Sequence, residues 1–136
     1  MWAEFISALA LPESGWKLNS EMVETTMGID PITKKQVRSE GLLQLSYQDK
    51  NNYGKFGIPC RFDWEKDKHL DVKDLNKTIF QPDINLETGI HIFSHQIKSK
   101  GSVLLKEDVY WAVIKLGGKY TKIPQITTMV QNLIVT

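Results

Sequence analysis

The chain has 136 residues, 41% of them hydrophobic and 24% charged. That balance suits one folded domain burying roughly 70% of its unfolded surface, and it excludes a disordered or fibrous chain. Seventeen Lys and Arg against sixteen Asp and Glu leave a net charge of +1, without the basic excess that nucleic-acid binders carry.

Trp2, Phe5, Ile6 and Leu9 recur at helical intervals, so the segment from Met1 to about Leu11 is predicted as an amphipathic helix. Pro12 should end or kink it, because proline cannot donate to the helical ladder. Glu13-Ser14-Gly15-Trp16 then lies at the helix exit. From Met22 to Arg38, β-branched residues flank Gly28-Ile29-Asp30-Pro31, the pattern of a small β-hairpin or ordered flap. Gly41–Asn52 is predicted helical, with Leu42, Leu45 and Asp49 on one face. Residues 53–80 are loop-rich, with mixed charges from Asp63 to Asp71 that indicate a solvated surface.

Cys60 lies in this stretch and is the chain's one cysteine, so no internal disulfide forms. It is expected to be a partly buried small hydrophobe. Asp83 is predicted to cap the clearest helix, whose stripe is Leu86, Ile90, Phe93 and Ile97, with Gly101 as its stop. A further helix is predicted through Leu105, Val109, Ala112, Val113 and Leu116. The last opens near Pro124 and carries Ile126, Met129, Val130, Leu133 and Ile134 on its apolar side. The expected fold is mainly α, a single helical domain over residues 1–136 with a small β-hairpin insert.

Several functions are set aside. No apolar run approaches the roughly 18 residues of a membrane span. The stretch Phe5–Leu11 is short and has no basic lead, so no signal peptide is expected there. Gly118-Lys119 is followed by Tyr120, which is not a phosphate loop. His91 and His95 have a zinc-compatible spacing but fall opposite the apolar stripe, on a solvent face, and Ile92 stands where a zinc protease needs Glu. No metal or cofactor is expected. Asn76-Lys77-Thr78 matches a glycosylation acceptor, a tripeptide common by chance.

One ordered set of blocks points to chemistry: Glu13-Ser14 at a helix end, Gly41-Leu42-Leu43-Gln44-Leu45, the Asp83–Gly89 helix start with Asn85 and Gly89, and Tyr110-Trp111-Ala112. The order resembles the lysozyme-like lytic transglycosylases, the family that also holds goose-type lysozyme, over about residues 2 to 116. Leu43 stands for that family's usual methionine, Tyr110-Trp111-Ala112 for its Ala-Tyr-Asn, and the stretch between Glu13 and Gly41 is longer than usual.

The resemblance implies a lysozyme-like fold and cleavage of the β-1,4 bond between N-acetylmuramic acid and N-acetylglucosamine in peptidoglycan. Glu13 is then the general acid. Ser14 supports its surroundings, Gly41 lets backbone approach the sugar, Gln44 contacts sugar, and Tyr110 stands near a tyrosine that hydrogen-bonds the glutamate. The chemistry is consistent, since glycoside cleavage needs a carboxyl that is protonated at working pH, and burial beside apolar groups raises a carboxyl pKa. A lytic transglycosylase needs only that one carboxyl. A hydrolase usually adds a second, about 6.5–9.5 Å away for inversion. Glu24 and Glu40, on or beside the hairpin, are the candidates, with hydroxyls flanking Glu24. Asp49 is expected to be an exposed charge. Trp16, Tyr47 and Tyr53 are candidate sugar-stacking surfaces.

The expected partner is peptidoglycan, outside the cytoplasm in a periplasm, a cell wall or an extracellular space, and the chain is expected to act as a monomer. The competing expectation is a non-catalytic glycan-binding or interaction module on the same fold. A third has chitin as the substrate.

Overall fold

The computed structural model describes residues 2–100, 110–111, 123–125 and 128. Among them the chain forms a helix-rich mixed domain. Helix α1 spans Trp2–Ser14, and strands β1 (Glu21–Val23) and β2 (Arg38–Glu40) follow. Then come α2 (Asp49–Gly54), α3 (Trp64–Asp67), a 3-10 turn (Thr78–Phe80) and α4 (Pro82–Lys100). Residues 123–125 and 128 are helical, where the last helix is predicted. The expected stop at Gly101 and most of the helix from Leu105 to Leu116 lie outside the described residues. Tyr110 and Trp111, which are described, sit in a bend and not in a helix. No helix among the described residues is long and apolar enough to cross a membrane.

Pro12 does not end α1. The helix runs two residues further, and Pro12 lies within it. So close to the helix end, the missing proline donor removes one bond and leaves little ladder beyond to disrupt. The stop is made at Gly15 and Trp16, both with left-handed backbone (φ 60° and 61°), a conformation that glycine supplies at low cost. The Ser14 hydroxyl donates back to Ala10 O at 2.9 Å and satisfies a carbonyl of the last turn.

The hairpin is formed as expected. β1 and β2 are antiparallel, with Met22 opposite Ser39 and Val23 opposite Arg38. Asp30 shapes the connecting loop. Its Oδ1 accepts from Ile32 N and Thr33 N (2.7 and 3.2 Å), and its Oδ2 accepts from Gln48 N at 3.0 Å.

The predicted helix over Gly41–Asn52 is replaced by a tight turn followed later by α2. Glu40 and Leu45 exchange both backbone bonds, 2.7 and 2.9 Å, around residues 41–44. Gly41 (φ 82°) and Gln44 (φ 52°) are both left-handed, which no α-helix allows.

α4 explains this turn. Asn85 and Gly89 are four apart and share one face. The Asn85 amide donates to Glu40 O (3.1 Å) and Ile79 O (2.8 Å), and its oxygen accepts from Leu43 N (2.8 Å). A Cβ on Gly41 would meet Asn85 Nδ2 at 2.2 Å, and one on Gly89 would meet Leu43 Cδ1 at 2.3 Å. Two sequence blocks some forty residues apart are therefore one packing unit.

The core around this unit contains Leu9, Leu43, Leu45, Tyr47, Phe62, Ile79, Phe80, Ile92 and Trp111. The apolar stripe predicted on α4 is only partly inside. Phe93 is buried, but Ile90 and Ile97 are 47% and 36% exposed. The face most deeply buried instead carries Asn85, Thr88, Gly89, Ile92 and Gln96. Asp83 is no cap; Pro82 opens α4, and the exposed Asp83 carboxylate faces Arg61 at 3.6 Å. His91 is exposed as expected, whereas His95 is half-buried and stacks on Phe56, centroids 4.3 Å apart.

Candidate functional site

Glu13 lies in the last turn of α1 and is half-buried. Burial, and next the nearby Glu24 carboxylate, lift its pKa from 4.5 to about 7. The helix end acts in the same direction, since its carbonyls present partial negative charge and the last turn holds no basic residue. A carboxyl with this value is protonated in about half of the molecules near neutral pH, the condition a general acid needs.

Glu24 follows β1 on the hairpin, close enough that its charge bears on Glu13. Its backbone N–H donates to Val37 O at 2.8 Å, and its carbonyl accepts from Gln36 Nε2 at 2.6 Å. The hydroxyl that holds its carboxylate is Ser39, at 2.5 Å, and not Thr25 or Thr26, which are exposed. Strand geometry gives the reason. Glu24 shares a face with Met22, Ser39 is opposite Met22, and diagonal side chains on one face can meet.

Glu40, the other candidate second carboxylate, is a framework group. It is 2% exposed and ion-paired with Lys77. Burial pushes its carboxyl up, against the pull of Lys77 and Arg38. Lys77 also donates to Val72 O (3.1 Å), and its ammonium lies 4.5 Å from the Phe80 ring centroid.

The other predicted contacts divide. Ser14 turns back into its own helix. The close approach that Gly41 permits is made by Asn85, which fills the space expected for sugar. Gln44 is buried, its amide donating to Gly41 O (2.9 Å) and Ser20 O (3.2 Å). Tyr47 is a core residue, 3% exposed, donating to Asp67 Oδ2 at 2.8 Å. It offers no sugar-stacking surface, because its ring is enclosed by Phe62 and Trp64. Tyr53 is half-buried against Tyr110. Trp16 is 53% exposed, but its indole N–H is tied back along α1 to Ser7 O at 2.7 Å. Cys60 is half-buried, its thiol pushed up to about 11 by burial and then by Asp49.

Tyr110 does meet a carboxylate, that of Asp49. The phenol donates to Asp49 Oδ2 at 2.6 Å. Glu13 is close enough that its charge is among the causes raising the Tyr110 phenol. Asp49 itself, expected on the surface, is 2% exposed, and burial lifts its carboxyl to about 6. The missed signal is its spacing. Ser46-x-x-Asp49 has the spacing of a capping box, and Asp49 Oδ2 accepts from Ser46 N at 2.8 Å.

A groove of about 750 Å³ runs between α1 and α4 past Ile6, Trp16, Ile90 and Phe93. It is apolar, and Glu13 is not among its described lining. A glycan needs donors and acceptors, so the carboxyl cluster and not this groove defines the candidate site. Comparison with known proteins found no matching family model, no matching curated protein and no matching solved structure.

Proposed function

We propose that this domain is a lysozyme-like glycosidase that cleaves the β-1,4 bond between N-acetylmuramic acid and N-acetylglucosamine in peptidoglycan. The observation that carries the reading is Glu13, a helix-end carboxyl held near neutral pKa by burial and then by the charge of Glu24 on the hairpin. The contact between the Gly41–Gln44 turn and the Asn85/Gly89 face of α4 adds support, because it makes two of the resembling blocks one packing unit.

In this mechanism protonated Glu13 donates to the leaving glycosidic oxygen as positive charge develops at the anomeric carbon. Two completions are open to the resulting Glu13 carboxylate. It can deprotonate the muramic acid's own hydroxyl, which closes a 1,6-anhydro ring. Alternatively the Glu24 carboxylate, held by Ser39, takes a proton from a water as the water oxygen bonds to the anomeric carbon. The substrate places the protein outside the cytoplasm, acting on glycan strands.

The test is digestion of purified peptidoglycan by wild type and Glu13→Gln, with products identified by mass spectrometry. Anhydro-muropeptides from wild type alone establish a lytic transglycosylase. Reducing-end products, heavier by one water, establish hydrolysis. Absence of products from both proteins, with glycan binding retained, would overturn the enzyme reading in favour of a binding module.

A further inference from the structure

The hairpin has a second face. Side chains two apart along a strand share a side, so Arg38 and Glu40 of β2 point away from Ser39, which holds Glu24 on the other side. With Trp64 and Asp67 of α3 they line a pocket of about 120 Å³ between the hairpin and α3. Sites for drug-sized ligands hold roughly 300–1,000 Å³. This pocket therefore admits one small molecule and not a glycan strand.

Charge in the pocket is arranged by depth. Of the groups that line it, Asp30, Glu40 and Asp67 are buried, and Lys77 is the buried cation. Lys77 is committed to Glu40 Oε1. Asp30 and Asp67 are held by backbone N–H and hydroxyl donors, none of them cationic. The interior is thus anionic. The mouth is cationic, with Lys35 and Lys68 exposed and Arg38 half-buried. Arg38 pairs with Glu21, and Lys68 with Glu65. Lys35 has no ion pair among the described residues, and its ammonium lies 5.7 Å from the Trp64 ring centroid. Glu40 adds a free acceptor. Its Oε1 takes Lys77, while its Oε2 takes no hydrogen bond among the described residues. Buried polar atoms almost always have a partner, so this oxygen calls for a donor from outside the chain. The carboxylates do not converge as the ligands of a metal ion would.

We propose that this pocket binds a small amino acid as its zwitterion, the ammonium inward on Glu40 and the carboxylate outward on Lys35 and Arg38. A simple cation would be repelled at the mouth, and a simple anion would meet the buried carboxylates. A molecule with both charges a few bonds apart suits both ends, and hydrogen bonds to charged groups are the strong ones. The inference does not rest on the glycosidase reading, since the pocket lies on the face of β2 opposite Ser39 and the Glu24 carboxylate.

The experiment titrates the full chain, labelled with nitrogen-15, with three probes near neutral pH and follows the backbone amides by NMR. The probes are alanine, ethylamine (alanine without its carboxylate) and propionate (alanine without its ammonium). Alanine should shift the amides of residues 35–40 and 64–68 and saturate. Ethylamine and propionate should each bind at least about tenfold more weakly, the cost of one lost hydrogen bond to a charged group. Glu40→Gln should weaken alanine by a similar factor, about tenfold. Lys35→Gln changes an exposed side chain, and it should weaken alanine about threefold while leaving ethylamine unchanged. Propionate binding as tightly as alanine would make this a plain anion site and overturn the proposal. Ethylamine binding as tightly would do the same by making it a cation site. Shifts that do not saturate, or that centre on other residues, also overturn it. If Glu40→Gln does not fold, the three-probe comparison on wild type and Lys35→Gln still decides.

Discussion

Replacing Glu13 with Gln removes an ionisable group and keeps its shape, so stability and activity should move in opposite directions. The folded-state pKa is about 7 against an ordinary 4.5, because burial and then Glu24 disfavour the anion. Between those two values the unfolded chain gives up the proton while the folded chain keeps it. Stability from this group is therefore complete below about pH 4.5 and is lost as pH rises toward 7. A shift of this size corresponds to roughly 3 kcal/mol, reduced to about 2 kcal/mol by the solvent that reaches the half-buried side chain.

The glutamine of the Glu13→Gln variant has no proton to lose and escapes this penalty. Urea unfolding of both proteins should give equal free energies near about pH 4. Near about pH 8 the variant should be more stable by about 2 kcal/mol. Muropeptide release should be abolished at both. A stability difference that stays flat with pH would refute the reasoning, since Glu13 would then titrate like any surface carboxyl. A variant less stable at high pH would refute it more directly, by showing that the fold depends on the charge.

Gly41→Ala should destabilise by about 3 kcal/mol or more, because φ is 82° and the new Cβ would strike Asn85 Nδ2; thermal denaturation reads this. Lys77→Met should cost roughly 3–5 kcal/mol by leaving the Glu40 carboxyl buried without its cation. Adding Glu40→Gln should recover most of that loss in chemical denaturation, whereas a Glu40 of catalytic importance would show as lost activity in a fully folded double variant. Tyr110→Phe removes a hydrogen bond that pulls the Asp49 carboxyl down, so Asp49 should titrate above its value of about 6 in an NMR pH series. An unchanged midpoint would mean that the Tyr110 hydroxyl is directed elsewhere.

The hairpin and the start of α1 are legible in the sequence because their signals are local. β-branched residues flank a turn that holds Gly28, Asp30 and Pro31, and the first apolar residues repeat at helical spacing. The exit of α1 is harder to place, since the cost of Pro12 depends on how much ladder lies beyond it. The turn at Gly41–Gln44 mimics a helix because Leu42 and Leu45 fit a three-residue spacing. What prevents the helix is non-local: Asn85, some forty residues away, occupies the space beside Gly41 and holds the turn's amide and carbonyl groups. The buried face of α4 escapes for a related reason. Periodicity counts apolar residues, and Asn85, Thr88 and Gln96 are polar groups buried against partners in other segments.

At the site, sequence alone determined Glu13 as the acid candidate and the hairpin as the place for a second carboxylate. Those inferences needed only residue type, order and a helix end. Tertiary structure alone separated Glu24 from Glu40, because whether a carboxyl is free or paired depends on which lysine the fold brings to it. It also moved Asp49 from the surface to the interior beneath Tyr110. The burial of a charge is set by the chain packed over it, and no single position in a sequence carries that information.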